Sequence, residues 1–140
     1  MANKIKILFL CTGNSCRSQM AEGWAKHLQE ASLEPFSAGI EQHGRNPWAI
    51  KVMAEAGIDI SGQKSKLTSE LIGINFDFIV AVCEQAATSC PVFPGPAKFV
   101  RKSFPDPPAM AAVKNTDKEK LECYRKVRDE IKDFVKGLPD

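Results

Sequence analysis

The sequence predicts a three-layer α/β fold in which helices flank a four-stranded parallel sheet. Two short and nearly continuous apolar runs, IKILFL at 5–10 and FDFIVAVC at 76–83, are typical of central parallel strands buried on both faces. Helical patterns lie between the candidate strands, and this alternation builds a layered domain through right-handed crossovers. The chain of 140 residues is predicted to form one domain, 1–140.

The remaining elements follow in chain order. Two weaker strands are expected within PFSAG at 35–39 and AKFVRKSF at 97–104. The first helix is predicted after the first strand, because apolar residues recur there at helical spacing. These residues are Met20, Trp24, Leu28 and Ala31.

Three further helices carry recognisable start signals. Asn46-Pro47 is a cap followed by proline at the first helical position, and this helix is expected to stop at Gly57. A short helix is expected after Thr68. The last helix is predicted to start at Thr116, where Thr116-x-x-Glu119 is a capping box. Its apolar face carries Cys123, Val127, Ile131 and Phe134.

Composition excludes several classes of function. A net charge of +2 is too small to favour nucleic acid or a membrane surface as partner. The first ten residues are interpreted as a core strand rather than a signal peptide, so a cytoplasmic protein is expected. Its five cysteines then indicate chemistry rather than a disulfide framework. Their spacing does not fit a zinc site, and we expect neither a metal nor a cofactor.

The stretch CTGNSCRS, residues 11–18, predicts an oxyanion cradle between the first strand and the first helix. Such a loop points backbone N–H groups inward, and the helix N-terminus adds partial positive charge. Gly13 can adopt backbone angles forbidden to other residues, and Asn14 tolerates them better than most. Arg17 can bind two oxygens of a tetrahedral anion. The expected oxyanion-binding residues are Thr12, Gly13, Asn14, Ser15, Cys16, Arg17 and Ser18.

Cys11 is the candidate nucleophile of this cradle. The positive surroundings are expected to lower its pKa, and Ser18 can donate a hydrogen bond to its thiolate. Asp106, between prolines after the last strand, is the candidate general acid, although an Asp-Pro step alone usually marks a turn. Cys11, Cys83 and Asp106 each follow a candidate strand, so they are expected at one edge of the sheet. Asn14 and Ser37 are expected to support the loop.

The sequence resembles the low-molecular-weight protein tyrosine phosphatase superfamily, and within it the thioredoxin-coupled arsenate reductases. The resemblance covers nearly the whole chain, and the pair Cys83 and Cys90 points to the reductase branch. It implies a sheet order of 2-1-3-4. The shared segments are CTGNSCRSQMAEG at 11–23, SAG at 37–39, EAGIDIS at 55–61, CEQAATSCP at 83–91 and DPP at 106–108.

The resemblance also implies a mechanism. Cys11 attacks arsenate, a small oxyanion, while Asp106 protonates the departing oxygen. Cys83 attacks the Cys11–arsenic adduct and releases arsenite, and Cys90 then resolves the Cys11–Cys83 bridge. Thioredoxin reduces the final disulfide. The expected protein is a monomer without nucleic-acid or membrane partners.

Two departures from the family pattern concern the site. The segment before Asp106 reads RKSFP, where the family often has His-Trp. Lys66 aligns with an acidic residue that some members use to bind potassium, a site to which Asn14, Glu22 and Ser37 would contribute here. The Lys66 ammonium is either a substitute for that ion or an exposed side chain in a variable loop.

Two rival functions use the same residues. A phosphotyrosine phosphatase needs only Cys11, Arg17 and Asp106, but Asp106 is followed by Pro107-Pro108-Ala109 without an aromatic residue to flank a phenyl ring. A thiol sensor or arsenite-binding module leaves Arg17 and Asp106 unexplained. Cys16 is interpreted as a supporting or redox-backup residue.

Overall fold

Four parallel strands form the centre of the fold. The computed structural model describes residues 4–14, 16–41, 44, 46–84, 86 and 97–138. Its strands are β1 (Ile5–Cys11), β2 (Leu33–Gly39), β3 (Phe78–Ala81) and β4 (Lys98–Arg101). They lie in the order β2-β1-β3-β4, and every neighbouring pair is parallel. The predicted fold class and strand order are confirmed.

The strand β1 is one of the two central strands of the sheet, with a paired neighbour on each side. It pairs with β2 from Ile5 and with β3 from Ile7. Residues 7–10 of β1 are completely buried, which explains the unbroken apolar run. The edge strand β4 is mostly exposed, so its sequence pattern is weaker.

The helices α1 (Arg17–Leu28), α2 (Pro47–Glu55), α3 (Pro107–Ala111) and α4 (Asp117–Lys136) surround the sheet, with a 3-10 turn at Thr68–Leu71. Asn46 caps α2 by accepting hydrogen bonds from two backbone N–H groups. Thr116 caps α4 by accepting from the N–H of Glu119. The predicted starts of these two helices are therefore confirmed. In the part of the chain that the structure describes, no helix has the length and apolar character needed to cross a membrane.

Two details of the sequence prediction were wrong. Ala31 is exposed and lies beyond α1, because the chain turns after Gln29 and the N–H groups of Ser32 and Leu33 bond to its carbonyl. The helix α3 was not predicted, since the sequence analysis placed Asp106 and its flanking prolines on a loop after the last strand. Proline is favoured in the first turn of a helix, and Asp106 precedes α3 as its N-cap residue.

The predicted apolar face of α4 lies against the core. Val127 and Ile131 are completely buried, and Cys123 is nearly so, whereas Phe134 is only partly buried. The helices α1 and α4 pack together. The carboxamide of Gln29 strengthens this contact by donating to three carbonyls at the end of α4.

The carboxyl ends of the strands position the functional residues. The loop after β1 carries Cys11 and the cradle, Cys83 follows β3, and Asp106 follows β4. The end of β2 supports the cradle directly, because Gly39 lies against its backbone. A Cβ atom at Gly39 would stand 2.7 Å from the nitrogen of Asn14 and 2.8 Å from the oxygen of Thr12.

We therefore predict that Gly39→Ala destabilises the protein by about 1–3 kcal/mol, the usual cost of overpacking a rigid site. The added methyl group meets backbone atoms, which cannot move aside as a flexible side chain can. Gly62→Ala is the control, because a Cβ atom there has nothing within 4 Å. Urea unfolding of both variants measures the difference, and equal stability of the two would contradict this account.

Candidate active site

The cradle loop connects Cys11, the last residue of β1, to Arg17, the first residue of α1. Asn14 takes the left-handed backbone conformation, with φ of 49°, that the sequence allowed at Gly13 or Asn14. Cys16 is the N-cap residue of α1. The loop is almost entirely buried where it is described, and Ser15 lies outside the described residues. The N-terminus of α1 therefore faces the loop with its partial positive charge.

The side chain of Asn14 fixes the loop. Its Nδ2 donates to Ser18 Oγ at 2.9 Å, and its Oδ1 accepts from the backbone N–H of Lys66 at 2.6 Å. The carbonyl of Gly13 accepts from Ser65 Oγ at 3.2 Å. These contacts hold the cradle against residues 65–66. The sequence analysis placed Lys66 beside Asn14 as a possible cation site, but it did not predict these hydrogen bonds.

The cradle brings two thiols together. The buried side chains of Cys11 and Cys83 lie close enough for each thiol to shift the pKa of the other. Thr12 Oγ1 lies 3.3 Å from Cys83 Sγ, and the backbone N–H of Ala86 donates to the same sulfur at 3.4 Å. Cys83 is thus surrounded by three hydrogen-bonding groups. Cys90, its predicted partner in the relay, lies outside the described residues.

The two thiols have opposite pKa shifts, so that Cys83 is the one that carries the negative charge and Cys11 keeps the proton. The hydrogen bond from Cys11 lowers the pKa of Cys83 to about 5, and further lowering comes from Thr12, the N–H of Ala86 and Arg17, against the effect of burial. The same hydrogen bond and burial raise the pKa of Cys11 well above its ordinary value, although Arg17 and the backbone N–H of Ser18 oppose this. The expectation that the pKa of Cys11 is lowered is wrong, because Cys83 competes for the anion-stabilising groups.

Arg17 and Asp106 complete the site. Arg17 Nη1 donates to the carbonyl of Phe104 at 3.0 Å, and Nη2 lies 3.9 Å from Asp106 Oδ1. The guanidinium is mostly buried, and its Nε has no hydrogen-bond partner among the described residues. The carboxylate of Asp106 is 46% exposed, so it lies at the open side of the site. A donor left free on a buried guanidinium suits the binding of an oxyanion.

The other two described cysteines are less suited to chemistry. Burial raises the pKa of Cys16 to about 12, with a smaller contribution from Asp106, so this side chain is a thiol at neutral pH. This favours the interpretation of Cys16 as a supporting residue. Cys123 is buried on α4. Cys11, Cys16, Cys83 and Cys123 are all free of disulfide bonds.

Glu22 is the centre of a buried polar cluster beside the cradle. Ser37 Oγ donates to its Oε1 at 2.5 Å, and Lys66 Nζ lies 3.9 Å from the same oxygen. Lys26 Nζ pairs with Oε2 at 2.6 Å. The sequence prediction missed Lys26, although its position four residues after Glu22 is a recognisable signal.

This cluster does not fit a potassium ion. The ammonium groups of Lys26 and Lys66 already face the single carboxylate of Glu22. Asn14 Oδ1 accepts from the backbone N–H of Lys66 and from the amide of Gln19. A further cation would therefore meet positive charge and an amide oxygen that is already bonded.

The fold and site together define a class of protein. A cysteine ends the first strand of a 2-1-3-4 parallel sheet, an arginine begins the next helix, and an aspartate follows the fourth strand. This is the architecture of the small phosphatases that bind phosphate at a cysteine loop. The model of the low molecular weight phosphotyrosine protein phosphatase family matches residues 6–139, and the chain belongs to that family.

Comparison with individual proteins refines the relationship. The arsenate reductase of Bacillus subtilis (strain 168) is 49% identical over 100% of this chain and 98% of its own. A solved arsenate reductase in the phosphate binding state is 35% identical with a TM-score of 0.75, covering 96% of this chain and 95% of that one. The low molecular weight protein tyrosine phosphatase from T. tengcongensis is 27% identical with a TM-score of 0.69, covering 94% and 95%. The resemblance predicted from the sequence is confirmed.

The shared charge predicts how each thiol responds to loss of the other. In Cys11→Ala, Cys83 loses the donor that contributes most to its lowered pKa, so this pKa should rise from about 5. In Cys83→Ala, the pKa of Cys11 should fall, because its largest raising cause is removed while Arg17 remains. The pH dependence of thiolate absorbance in each variant measures both shifts. Cys123→Ala is the control, and unchanged titrations of the two site thiols would contradict the shared proton.

Proposed function

We propose that this protein reduces arsenate to arsenite with Cys11 as nucleophile, Cys83 and Cys90 as a thiol relay, and thioredoxin as the reductant. The observation that carries the proposal is that the cradle loop brings a second buried thiol, Cys83, next to Cys11, with Thr12 Oγ1 of the loop 3.3 Å from Cys83 Sγ. A phosphatase uses one thiol at this place, whereas a reductase needs a second thiol within reach of the first. The arsenate reductases among the relatives support the choice of substrate.

The first step is attack on arsenic. Arsenate is held by the N-terminus of α1 and by Arg17, whose buried Nε has no partner in the part of the chain that the structure describes. Transfer of the shared proton from Cys11 to Cys83 leaves Cys11 as the thiolate. Its sulfur bonds to arsenic as one oxygen departs, and Asp106 supplies a proton so that this oxygen leaves as water.

The second step reduces arsenic. Cys83 first passes the proton that it accepted to an oxygen of the arsenic adduct. The resulting Cys83 thiolate, stabilised by Thr12 and the N–H of Ala86, then attacks the sulfur of Cys11. A sulfur–sulfur bond forms and the sulfur–arsenic bond breaks. The electron pair of the broken bond remains on arsenic, which gains two electrons and leaves as arsenite. The two thiols together lose those electrons and become the Cys11–Cys83 disulfide.

The third step restores the nucleophile. Cys90 attacks the sulfur of Cys83 and releases the Cys11 thiolate, so the disulfide moves to Cys83–Cys90. A thioredoxin dithiol then reduces this bridge by exchange and is itself oxidised. The cytoplasm, where thiols are kept reduced, is the compartment in which such a cycle works, and a monomer suffices for it.

Weak phosphatase activity is a second function that the site favours. Cys11, Arg17 and Asp106 suit attack on a phosphoryl group as well as on arsenate. The residues that follow Asp106 form α3, whose sequence PPAMA offers no aromatic flank for a phenyl ring. We therefore expect slow hydrolysis of a small aryl phosphate that requires Cys11 and Arg17 and does not require Cys83 or Cys90.

The relay predicts different failures for three variants. Cys11→Ser removes the nucleophile, and Cys83→Ser leaves the arsenic adduct unreduced, so neither should release arsenite. Cys90→Ser should release about one equivalent and then stop, because no thiol resolves the Cys11–Cys83 bridge. Arsenite release and NADPH oxidation, coupled through thioredoxin and its reductase, measure these outcomes.

Cys123→Ser is the matched control, since Cys123 is a buried free thiol on α4 and has no part in the relay. It should turn over repeatedly. Undiminished repeated turnover by Cys90→Ser would contradict the three-thiol relay. Aryl phosphate hydrolysis without any arsenate-dependent oxidation of NADPH would identify a phosphatase instead.

The Glu22 cluster supports a proposal about salts, which rests on the proposed function. The ammonium of Lys66 supplies the positive charge that potassium supplies in some family members. Activity should then be nearly the same in potassium and sodium salts at matched ionic strength. Lys66→Asp should introduce a response to potassium, whereas Lys64→Asp, at an exposed side chain, should not. Strong potassium activation of the unaltered protein would show that Lys66 does not fill this position.

A further inference from the structure

The side chain of Gln19 lies between the cradle and the segment that supports it. Gln19 belongs to the first turn of α1 and is 2% exposed. A glutamine is rarely buried to this extent unless its carboxamide is fully hydrogen-bonded. The mechanism proposed above assigns no task to it.

The Gln19 amide contacts Asn14 at two points. Its Nε2 lies 3.0 Å from the backbone oxygen of Asn14 and 3.1 Å from Asn14 Oδ1. The same nitrogen lies 2.9 Å from the backbone oxygen of Lys64. A single amide group therefore contacts the main chain and the side chain of the left-handed residue, and joins both to the supporting segment.

Gln63 fixes the orientation of this amide. Its Nε2 donates to Gln19 Oε1 at 2.7 Å and to the backbone oxygen of Gln19 at 3.0 Å. The oxygen of the Gln19 carboxamide is thereby held as an acceptor toward Gln63, so the NH₂ group must face Asn14. Gln63 is itself buried, which keeps water from replacing this contact.

The conformation of Asn14 explains why such a contact matters for binding. A residue with a side chain pays a steric cost at a positive φ, and Asn14 has φ of 49°. The peptide groups on either side of Asn14 are parts of the anion-binding loop, so their directions follow from this conformation. A loop that relaxes at Asn14 would turn its N–H groups away from a bound oxyanion.

We propose that Gln19, oriented by Gln63, is a positioning residue that holds Asn14 in the left-handed conformation and so preorganises the cradle for oxyanions. The inference rests on the proposed function, in which the cradle binds arsenate. It concerns affinity for the anion, whereas the proposed function concerns the thiol chemistry that follows. The two can therefore fail separately.

The test compares glutamines in different surroundings. Gln19→Met removes the donor beside Asn14 with little change in side-chain size. Gln29→Met is the matched control, because the Gln29 amide also contacts three backbone carbonyls, at the end of α4. Both variants should be less stable in urea. Calorimetric titration with inorganic phosphate separates them, because phosphate reports on the cradle without any thiol reaction.

We expect Gln19→Met to bind phosphate about fivefold to tenfold more weakly, the loss equivalent to roughly one hydrogen bond. Gln29→Met should bind as the unaltered protein does. Gln63→Met, which keeps the Gln19 donor but frees its orientation, should show a smaller loss. In the double variant Gln19→Met/Gln63→Met, the two losses should not add, because both act through one contact.

Equal phosphate affinity in Gln63→Met and the unaltered protein would overturn the role of Gln63, and equal affinity in Gln19→Met would overturn the whole inference. If Gln19→Met does not fold, Gln63→Met decides the question. Absence of phosphate binding by the unaltered protein would overturn both this inference and the proposed function. Phosphate binding that depends on Gln19 but is not accompanied by arsenate reduction would support the inference and contradict the proposed function alone.

Discussion

The pairing of the Cys11 and Cys83 thiols at one edge of the sheet is the interaction on which the chemistry of the candidate site depends. It exists because β1 and β3 are parallel neighbours, with Leu10 opposite Ala81, so that the residues after both strands emerge at one edge of the sheet. Deprotonation of both buried thiols would place two negative charges next to each other, which is energetically unfavourable. The two thiols therefore share one proton. In the proposed mechanism, the shared proton lets the same pair supply a nucleophile first and an attacking thiolate later.

A second constraint is the rigidity of the loop around the pair. Asn14 holds a strained conformation because its side chain contacts Ser18 and Lys66, while Arg17 is tied to the carbonyl of Phe104. These contacts join β1, α1, the segment before the 3-10 turn and the loop that leads to Asp106. A site assembled from four parts of the chain needs such cross-links, since small displacements of catalytic groups cost much of the rate.

The sequence predicted those features that are encoded locally. Three signals each depend on residues within one element: the apolar run of β1, the Asn46-Pro47 cap and the capping box at Thr116. The structure contains a strand at the first signal and a helix that begins at each of the other two. The features that were missed depend on contacts between distant segments. The raised pKa of Cys11 requires knowledge of where Cys83 lies, and the bond of Gln63 to Gln19 joins residues 44 positions apart. Lys26 and α3 were missed despite local signals, namely the spacing from Glu22 and the paired prolines.

The central claim is that Cys83 reacts directly with Cys11 after arsenate has been attacked. The most direct measurement uses the Cys90→Ser variant, mixed with one equivalent of arsenate in the absence of thioredoxin, quenched by alkylation and mapped by mass spectrometry. The proposed mechanism predicts a Cys11–Cys83 disulfide formed in proportion to the arsenite released. A bridge between Cys11 and Cys16, or arsenite released without any disulfide at Cys83, would contradict it.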